Sequence, residues 1–286
     1  MGISFESVSH LYPGLKRKQF TVALDCINLN INEKNEFVSI VGKTGSGKST
    51  LVQHMNALLL PSKGNVMIFD NIITPKKNKN PKLKEVRRRV GFVFQFPEYQ
   101  LFEETVLKDI MFAPKNFGCS ETEAKKKALD VAKLLNIESL LNKSPFNLSG
   151  GQMRKVAIAG ILAYDPDVLL LDEPTRGLDP KAQEDIMKMF YDIHKTTGKT
   201  IVLITHDMNL VYRYSTRVIV MNDSKLVYDG DKVNLFNSDI YKNNHLTKPE
   251  VLTLVDYLNE KLNYNIRYDE VFTKEDLLER LVTICE

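Results

Sequence analysis

Gly42-Lys43-Thr44-Gly45-Ser46-Gly47-Lys48-Ser49-Thr50 follows directly on the apolar run Phe37-Val38-Ser39-Ile40-Val41. The nine residues match the pattern G-x-x-x-x-G-K-[ST], and a strand before them with a helix-forming segment after, Ser49 to Leu60, is the context that pattern requires. Glycines let the backbone curl so that successive N–H groups face an anion, and the following helix adds its positive end. Lys48 is placed to neutralise phosphate charge, and the Ser49 hydroxyl to offer oxygen to a small hard cation such as Mg²⁺. The stretch therefore reads as a phosphate-binding loop, which fixes the chain as α/β.

Length and composition bound what surrounds the loop. The 286 residues suffice for one large α/β domain with a small appendage, and 43% hydrophobic with 26% charged residues fits a globular chain. No apolar stretch approaches the roughly eighteen residues needed to cross a bilayer, and the first residues lack the regions of a signal peptide, so an intracellular protein is expected. Cys26, Cys119 and Cys285 share no metal-ligand spacing with the histidines and are read as reduced and structural. A net charge of +3 makes no general case for nucleic acid.

Along the chain, residues 3–12 and 22–31 read as strands, the second alternating Ile27, Leu29 and Ile31 with polar partners, separated by a Pro13-Gly14 turn and the basic Lys16-Arg17-Lys18. Tyr12 ends the first strand, where an aromatic either stacks on a nucleobase or simply packs. The run 76–89 holds eight basic residues against the single Glu85, the usual mark of a solvated face. Strand Val90 to Phe94 leads to Gln95 and a loop, Phe96 to Phe102. A helical pattern covers 106–142, with Ala124, Ala128, Val131 and Leu135 on one side. Leu148-Ser149-Gly150-Gly151-Gln152 then opens another helix, either as an anion-binding turn or as a plain cap.

The buried-strand run Val168 to Leu171 delivers Asp172 and Glu173 at its C-terminal end. That is the edge where open α/β sheets bind ligands. A loop through Arg176 and Asp179 leads to a helix, Lys181 to Lys195, and strand 199–204 ends in Thr205-His206-Asp207. Short strands near 217–221 and 225–228 follow. Two amphipathic helices, 249–262 and 273–284, either pack back on the main domain or form a partner-binding or dimerising module.

With Tyr12, the phosphate loop, Gln95, Leu148 to Gln152, Asp172-Glu173, Asp179 and His206 in this order, residues 3 to about 235 resemble an ATP-binding-cassette ATPase. The likeness implies a P-loop NTPase core with an N-terminal antiparallel β subdomain and a helical subdomain near 100–165, all within 1–236, followed by a C-terminal helical extension, 237–286. It also implies a head-to-tail dimer with ATP sandwiched between one subunit's phosphate loop and the other's signature turn. Carried over, Tyr12 stacks on adenine and residues 42–50 hold the phosphates. Ser49, Gln95 and Asp172 serve Mg²⁺, Glu173 is the general base, and His206 aligns water and γ-phosphate. Ser149, Gly150, Gly151, Gln152 and Asp179 act across the interface.

Gln95 to Val106, Asp109-Ile110, Pro114 and Asn116-Phe117-Gly118 bring a closer likeness, to the ATPase subunits of energy-coupling factor transporters for vitamins and metal ions. Such subunits, as homo- or heterodimers, sit on the cytoplasmic face of the membrane, beneath a transmembrane coupling protein and small substrate-binding membrane proteins. Glu98, Glu103 and Glu104 are then expected to meet basic residues of the membrane partner, and no nucleic acid is expected. An ordinary importer ATPase and a soluble cassette protein are the alternatives. Two residues depart from the family pattern: Lys155 replaces an Arg, and Arg176 a small residue.

Overall fold

Strands β3 (Phe37–Val41), β6 (Val90–Val93), β7 (Val168–Asp172) and β8 (Thr200–Ile204) are buried along nearly their whole length, which is why they read as unbroken apolar runs. They sit inside a six-stranded sheet completed by β9 (Arg217–Asn222) and β10 (Lys225–Asp231), in the order β10-β9-β3-β8-β7-β6. All pairings are parallel except β10 on β9. In this computed structural model residues 2–14, 19–76, 80 and 83–285 are described. Lys16, Arg17, Lys18, Lys77, Lys79 and Lys82 lie outside the described residues.

A second sheet, antiparallel, is built from β1 (Ile3–Pro13), β2 (Phe20–Ile31), β4 (Lys63–Ile68) and β5 (Asn71–Ile73) in the order β2-β1-β4-β5. The two sheets enclose one core with helix α1 (Lys48–Met55): Val38, Ile40, Leu170, Val202 and Ile204 face Leu51, Val52 and Met55 and the strands above. Side chains of opposite parity, Phe37, Leu169, Leu171, Ile201 and Leu203, point the other way. They pack on helices α3 (Val106–Asn116), α4 (Glu121–Leu134), α5 (Gly150–Leu162) and α6 (Pro180–Thr197). Period-two alternation thus divides each strand between two cores.

Several boundaries differ from the sequence reading, each for a local reason. Helix α1 ends at Met55 rather than Leu60, because Ala57 turns left-handed and the N–H groups of Leu58 and Leu59 both donate to the Gln53 carbonyl. The pattern over 106–142 is two helices, broken where Gly118 adopts φ 99° and the N–H of Cys119 returns to the Pro114 carbonyl. Ser120 then restarts the chain with a capping box on Glu123. Nor is the basic run simply a solvated face. In helix α2 (Leu83–Arg89), Arg89 pairs with Glu33 at 2.8 Å and Asp167 at 2.6 Å, its guanidinium 3.4 Å from the Phe69 ring centre, and Arg87 donates to the Ala57 carbonyl. Cys26 is exposed and Cys119 half-buried; both are free thiols.

A third core joins the last fifty residues to the sheet. Val218 and Val220 of β9 and Val211 and Tyr212 of α7 (Met208–Tyr214) pack against Leu235 of α8 (Lys232–Asn237) and Tyr241 of α9 (Ile240–Asn243). Val251, Leu252 and Val255 of α10 (Glu250–Leu262) and Leu277 of α11 (Lys274–Cys285) complete it. The Tyr212 hydroxyl donates to the Tyr268 carbonyl, fixing the connection between the last two helices. No helix among the described residues is long and apolar enough to cross a membrane.

Candidate active site

Parallel pairing brings the C-terminal ends of β3, β7 and β8 side by side, and Gly42, Asp172-Glu173 and Thr205-His206 therefore emerge on one edge. The loop after β3 is shaped by two close approaches. Gly42 has φ 140°, and a Cβ there would stand 2.0 Å from the Met221 carbonyl oxygen; Gly47 has φ 102°, with a Cβ 2.3 Å from the Ala23 carbonyl oxygen. Any side chain at either position would push the loop off the strands beneath it. Inside the loop the Ser46 hydroxyl is buried with no hydrogen-bond partner among the described residues, an acceptor or donor left over for a ligand. The Lys48 ammonium bridges the Gly42 and Lys43 carbonyls at 2.8 and 2.7 Å. Burial lowers its pKa, opposed by the charges of Glu173 and Asp172.

The two acids differ in environment. Burial raises the Asp172 pKa, the Ser49 hydroxyl beside it works against this, and the neighbouring Glu173 charge adds to the rise. Glu173 sits at φ 52°, a left-handed conformation uncommon for a residue with a side chain. Its N–H donates to the Ile204 carbonyl at 2.9 Å and its own carbonyl accepts from Arg176 N–H at 3.1 Å. Strain of this kind persists where surrounding structure holds it, commonly at functional sites. The carboxylate faces His206, whose Nδ1 lies 2.8 Å from Oε2. These groups line a cleft of about 440 Å³ together with Thr44, Arg176, Gly177 and Gln183.

Tyr12 stands beside the loop, its hydroxyl 3.3 Å from the Thr50 hydroxyl, and remains 38% exposed, so its ring face is available. Behind it His10 and His54 form a ladder of edge-on contacts, with ring centres 4.6 and 4.8 Å apart in turn. His54 is fully buried and bonded through Nδ1 to the Thr50 carbonyl at 2.7 Å. Burial pushes its pKa down to about 4 from an ordinary 6.5. Because the folded pKa is the lower one, stability is complete above about pH 6.5 and falls as pH drops from there towards 4. The loss is on the order of 3 kcal/mol. Urea titrations of the wild type and of His54→Gln at pH 7.5, 6 and 5 check this: the stability difference between them should change with pH, and parallel profiles would exclude His54 as the source.

Gln95 meets Arg176. Its side-chain carbonyl accepts from the Arg176 guanidinium, a contact made possible by the residue that departs from the family pattern. Ser149, Gly150, Gly151 and Gln152 do not line the cleft. Ser149 caps α5 in a capping box with Gln152, and a Cβ at either glycine would meet nothing within 4 Å. Asp179 caps α6 by accepting from Ala182 N–H. Glu98 is not the free docking acid expected of it: Arg154 holds it at 3.0 Å, with side-chain exposures of 4% for the arginine and 15% for the glutamate. Glu104 pairs with Lys108 one helical turn on. Arg154 escaped the sequence reading because its partners lie 20 to 56 residues away, leaving no local pattern.

Residues 24–176 match the family model described as ABC transporter. Curated relatives are the energy-coupling factor transporter ATP-binding protein EcfA2 of Ligilactobacillus salivarius, 49% identical, covering 92% of this chain and 91% of its own, and that of Clostridium perfringens, 45% identical and 98% of both. Among solved structures, cbiO1 from Clostridium perfringens, part of the ABC transporter complex cbiONQ, superposes with a TM-score of 0.72 at 33% identity, covering 91% of this chain and 95% of that one. A dimeric ATP-binding cassette in a post-hydrolysis state with ADP and Pi gives a TM-score of 0.70 at 35% identity, covering 80% and 98%.

Proposed function

The chain belongs to the ABC transporter family, with near-full-length likeness to energy-coupling factor ATP-binding proteins, and from this we propose that it is the ATP-hydrolysing subunit of such a transporter, energising uptake of vitamins or metal ions. The observation that carries the reading is the meeting of Lys48, Glu173 and His206 in one cleft at the sheet edge, with Glu173 and His206 at 2.8 Å. In this reading residues 42–50 cradle the phosphates, Tyr12 stacks on adenine, and Lys48 turns from the loop carbonyls to the β- and γ-phosphates. Glu173 takes the proton of the attacking water, and His206, hydrogen-bonded to it, keeps that carboxylate and the γ-phosphate aligned.

The oxygen donors of Ser49 and Asp172 suit Mg²⁺, and the raised pKa of Asp172 is what a nearby cation would relieve. Gln95 would join them only after leaving Arg176. When bound, the ion would neutralise charge on the β- and γ-phosphates.

Ser149, Gly150, Gly151, Gln152 and Asp179 do not line their own cleft, which supports a sandwich dimer in which they meet nucleotide held by a second ATPase subunit, identical or related. We assign 1–236 to the ATPase domain, with its helical subdomain near 100–165, and 237–286 to an extension that contacts a partner. Leu254, Tyr257, Leu278 and Val282 leave apolar surface on its helices. The assembly sits on the cytoplasmic face of the membrane, bound to a transmembrane coupling protein and small substrate-binding membrane proteins. Pull-down of the tagged chain from gently solubilised membranes tests this: a cassette ATPase with one shared membrane protein and small membrane proteins is the expected yield. A permease pair with a substrate-binding protein would move the chain to ordinary importers, and soluble partners alone would end the transport reading.

A further inference from the structure

Arg154, in the first turns of α5, is 3% exposed, and its guanidinium joins three segments far apart in sequence. Nε and Nη2 donate to the two carboxylate oxygens of Glu98 at 3.2 and 3.0 Å, within the turn Pro97–Gln100 that follows Gln95. Nη1 donates to the Pro174 carbonyl at 3.3 Å and the Arg176 carbonyl at 2.7 Å, within the turn that follows Glu173. The arginine itself sits five residues after Ser149, on the helix that the signature turn opens.

A buried ion pair adds little net stability once desolvation is counted, so its value lies in geometry. The planar fork of an arginine binds a carboxylate through two parallel hydrogen bonds while other N–H groups reach elsewhere, which a lysine cannot reproduce. Here the two carbonyls it holds, those of Pro174 and Arg176, belong to the turn whose Arg176 N–H closes on the Glu173 carbonyl. Arg154 therefore reaches the left-handed backbone of Glu173 through one hydrogen-bonded turn. Arg176, with its backbone pinned in this way, directs its own guanidinium at the Gln95 amide, so the loop after β6 is tied to the loop after β7 twice.

Resting on the ATPase reading, we propose that Arg154 is a positioning residue for hydrolysis: it locks the signature helix, the Glu98 turn and the turn behind Glu173 into one unit, so that Glu173 holds its working orientation only while all three are seated together. Arg154 does not line the cleft. Its loss should therefore act on turnover and not on nucleotide affinity.

The test uses Arg154→Lys and Arg154→Met in the full-length chain, with ATP turnover measured on the assembly that copurifies with it and Lys48→Ala run alongside. Both Arg154 variants are expected to lose ~10-fold or more in kcat, as misplacement of a reacting group by a fraction of an ångström does, with KM for ATP within about twofold. In amide hydrogen exchange of the full chain, Arg154→Met should exchange faster at 97–100 and 174–177 together, with 37–55 unchanged. Wild-type kcat in both variants overturns the proposal. So does faster exchange spread through 37–55 with KM and kcat moving in step, which would mark a general structural role. If Lys48→Ala also turns over at the wild-type rate, the ATPase reading fails and takes the proposal with it. If only Lys48→Ala is impaired, the assignment of Arg154 alone is wrong. Should the Met variant not fold, the Lys variant carries the same kinetic test.

Discussion

Glu173→Gln should bind ATP normally and hydrolyse it ~10²- to 10⁴-fold more slowly, the range that loss of a positioned general base produces. Glutamine matches the carboxylate in size and can keep a hydrogen bond to His206, now 2.8 Å from Oε2. It also leaves the left-handed backbone at φ 52° with a side chain of the same bulk, so the change isolates basicity from shape. One secondary effect is expected. Glu173 is among the groups that raise the Asp172 pKa, and without its charge Asp172 ionises more readily. Nucleotide affinity should therefore hold or rise while turnover collapses. Equilibrium ATP binding and single-turnover phosphate release, measured on the same preparation, separate the two; unaltered release would remove Glu173 from the base role.

The second large effect belongs to binding. Lys48→Ala should weaken ATP affinity by ~10- to 100-fold, the value of one or two charge-assisted hydrogen bonds to phosphate. In the structure the ammonium is held within the loop by two carbonyls at 2.8 and 2.7 Å, close to where the phosphates are read to lie, and turns from them when phosphate arrives. Its burial lowers the lysine pKa, yet Glu173 and Asp172 oppose that shift and favour the charged form. Alanine removes a positive charge that interacts favourably with both acids, and electrostatic repulsion adds to the loss of contact. A titration in which Lys48→Ala matches the wild type while Glu173→Gln is inactive would place the phosphates elsewhere.

Much of this site was legible from local pattern because its parts are local. The phosphate loop is one continuous segment, and the runs ending in Asp172 and His206 are short and apolar because β7 and β8 are buried on both faces. What eluded the sequence were relations between segments. Glu98 read as a surface acid, since nothing near it announces Arg154, 56 residues on. Gln95 read as a cation ligand, and its contact with Arg176, far along the chain, left no local pattern either. Across 106–142 the helical period persisted through a break that Gly118 makes by backbone conformation, to which hydrophobic spacing is blind. The C-terminal helices were recognisable by amphipathicity, but the face they cover, Val218 and Val220, belongs to another element.

The division of β7 and β8 between two cores has a bearing on how accurately the chemistry is placed. Leu171 pairs with Leu203 and Asp172 with Ile204, and sliding one strand by a single residue would invert every side chain in it, sending Leu169 and Leu171 into the layer built for Val168 and Leu170. Such a slip is all or nothing; no intermediate offset satisfies both layers. The spacing between Glu173 and His206 is thus indexed by greasy side chains several ångströms below, which act as the teeth of a ratchet. Polar residues at the tips can vary from one descendant sequence to another without loosening the mount on which they stand.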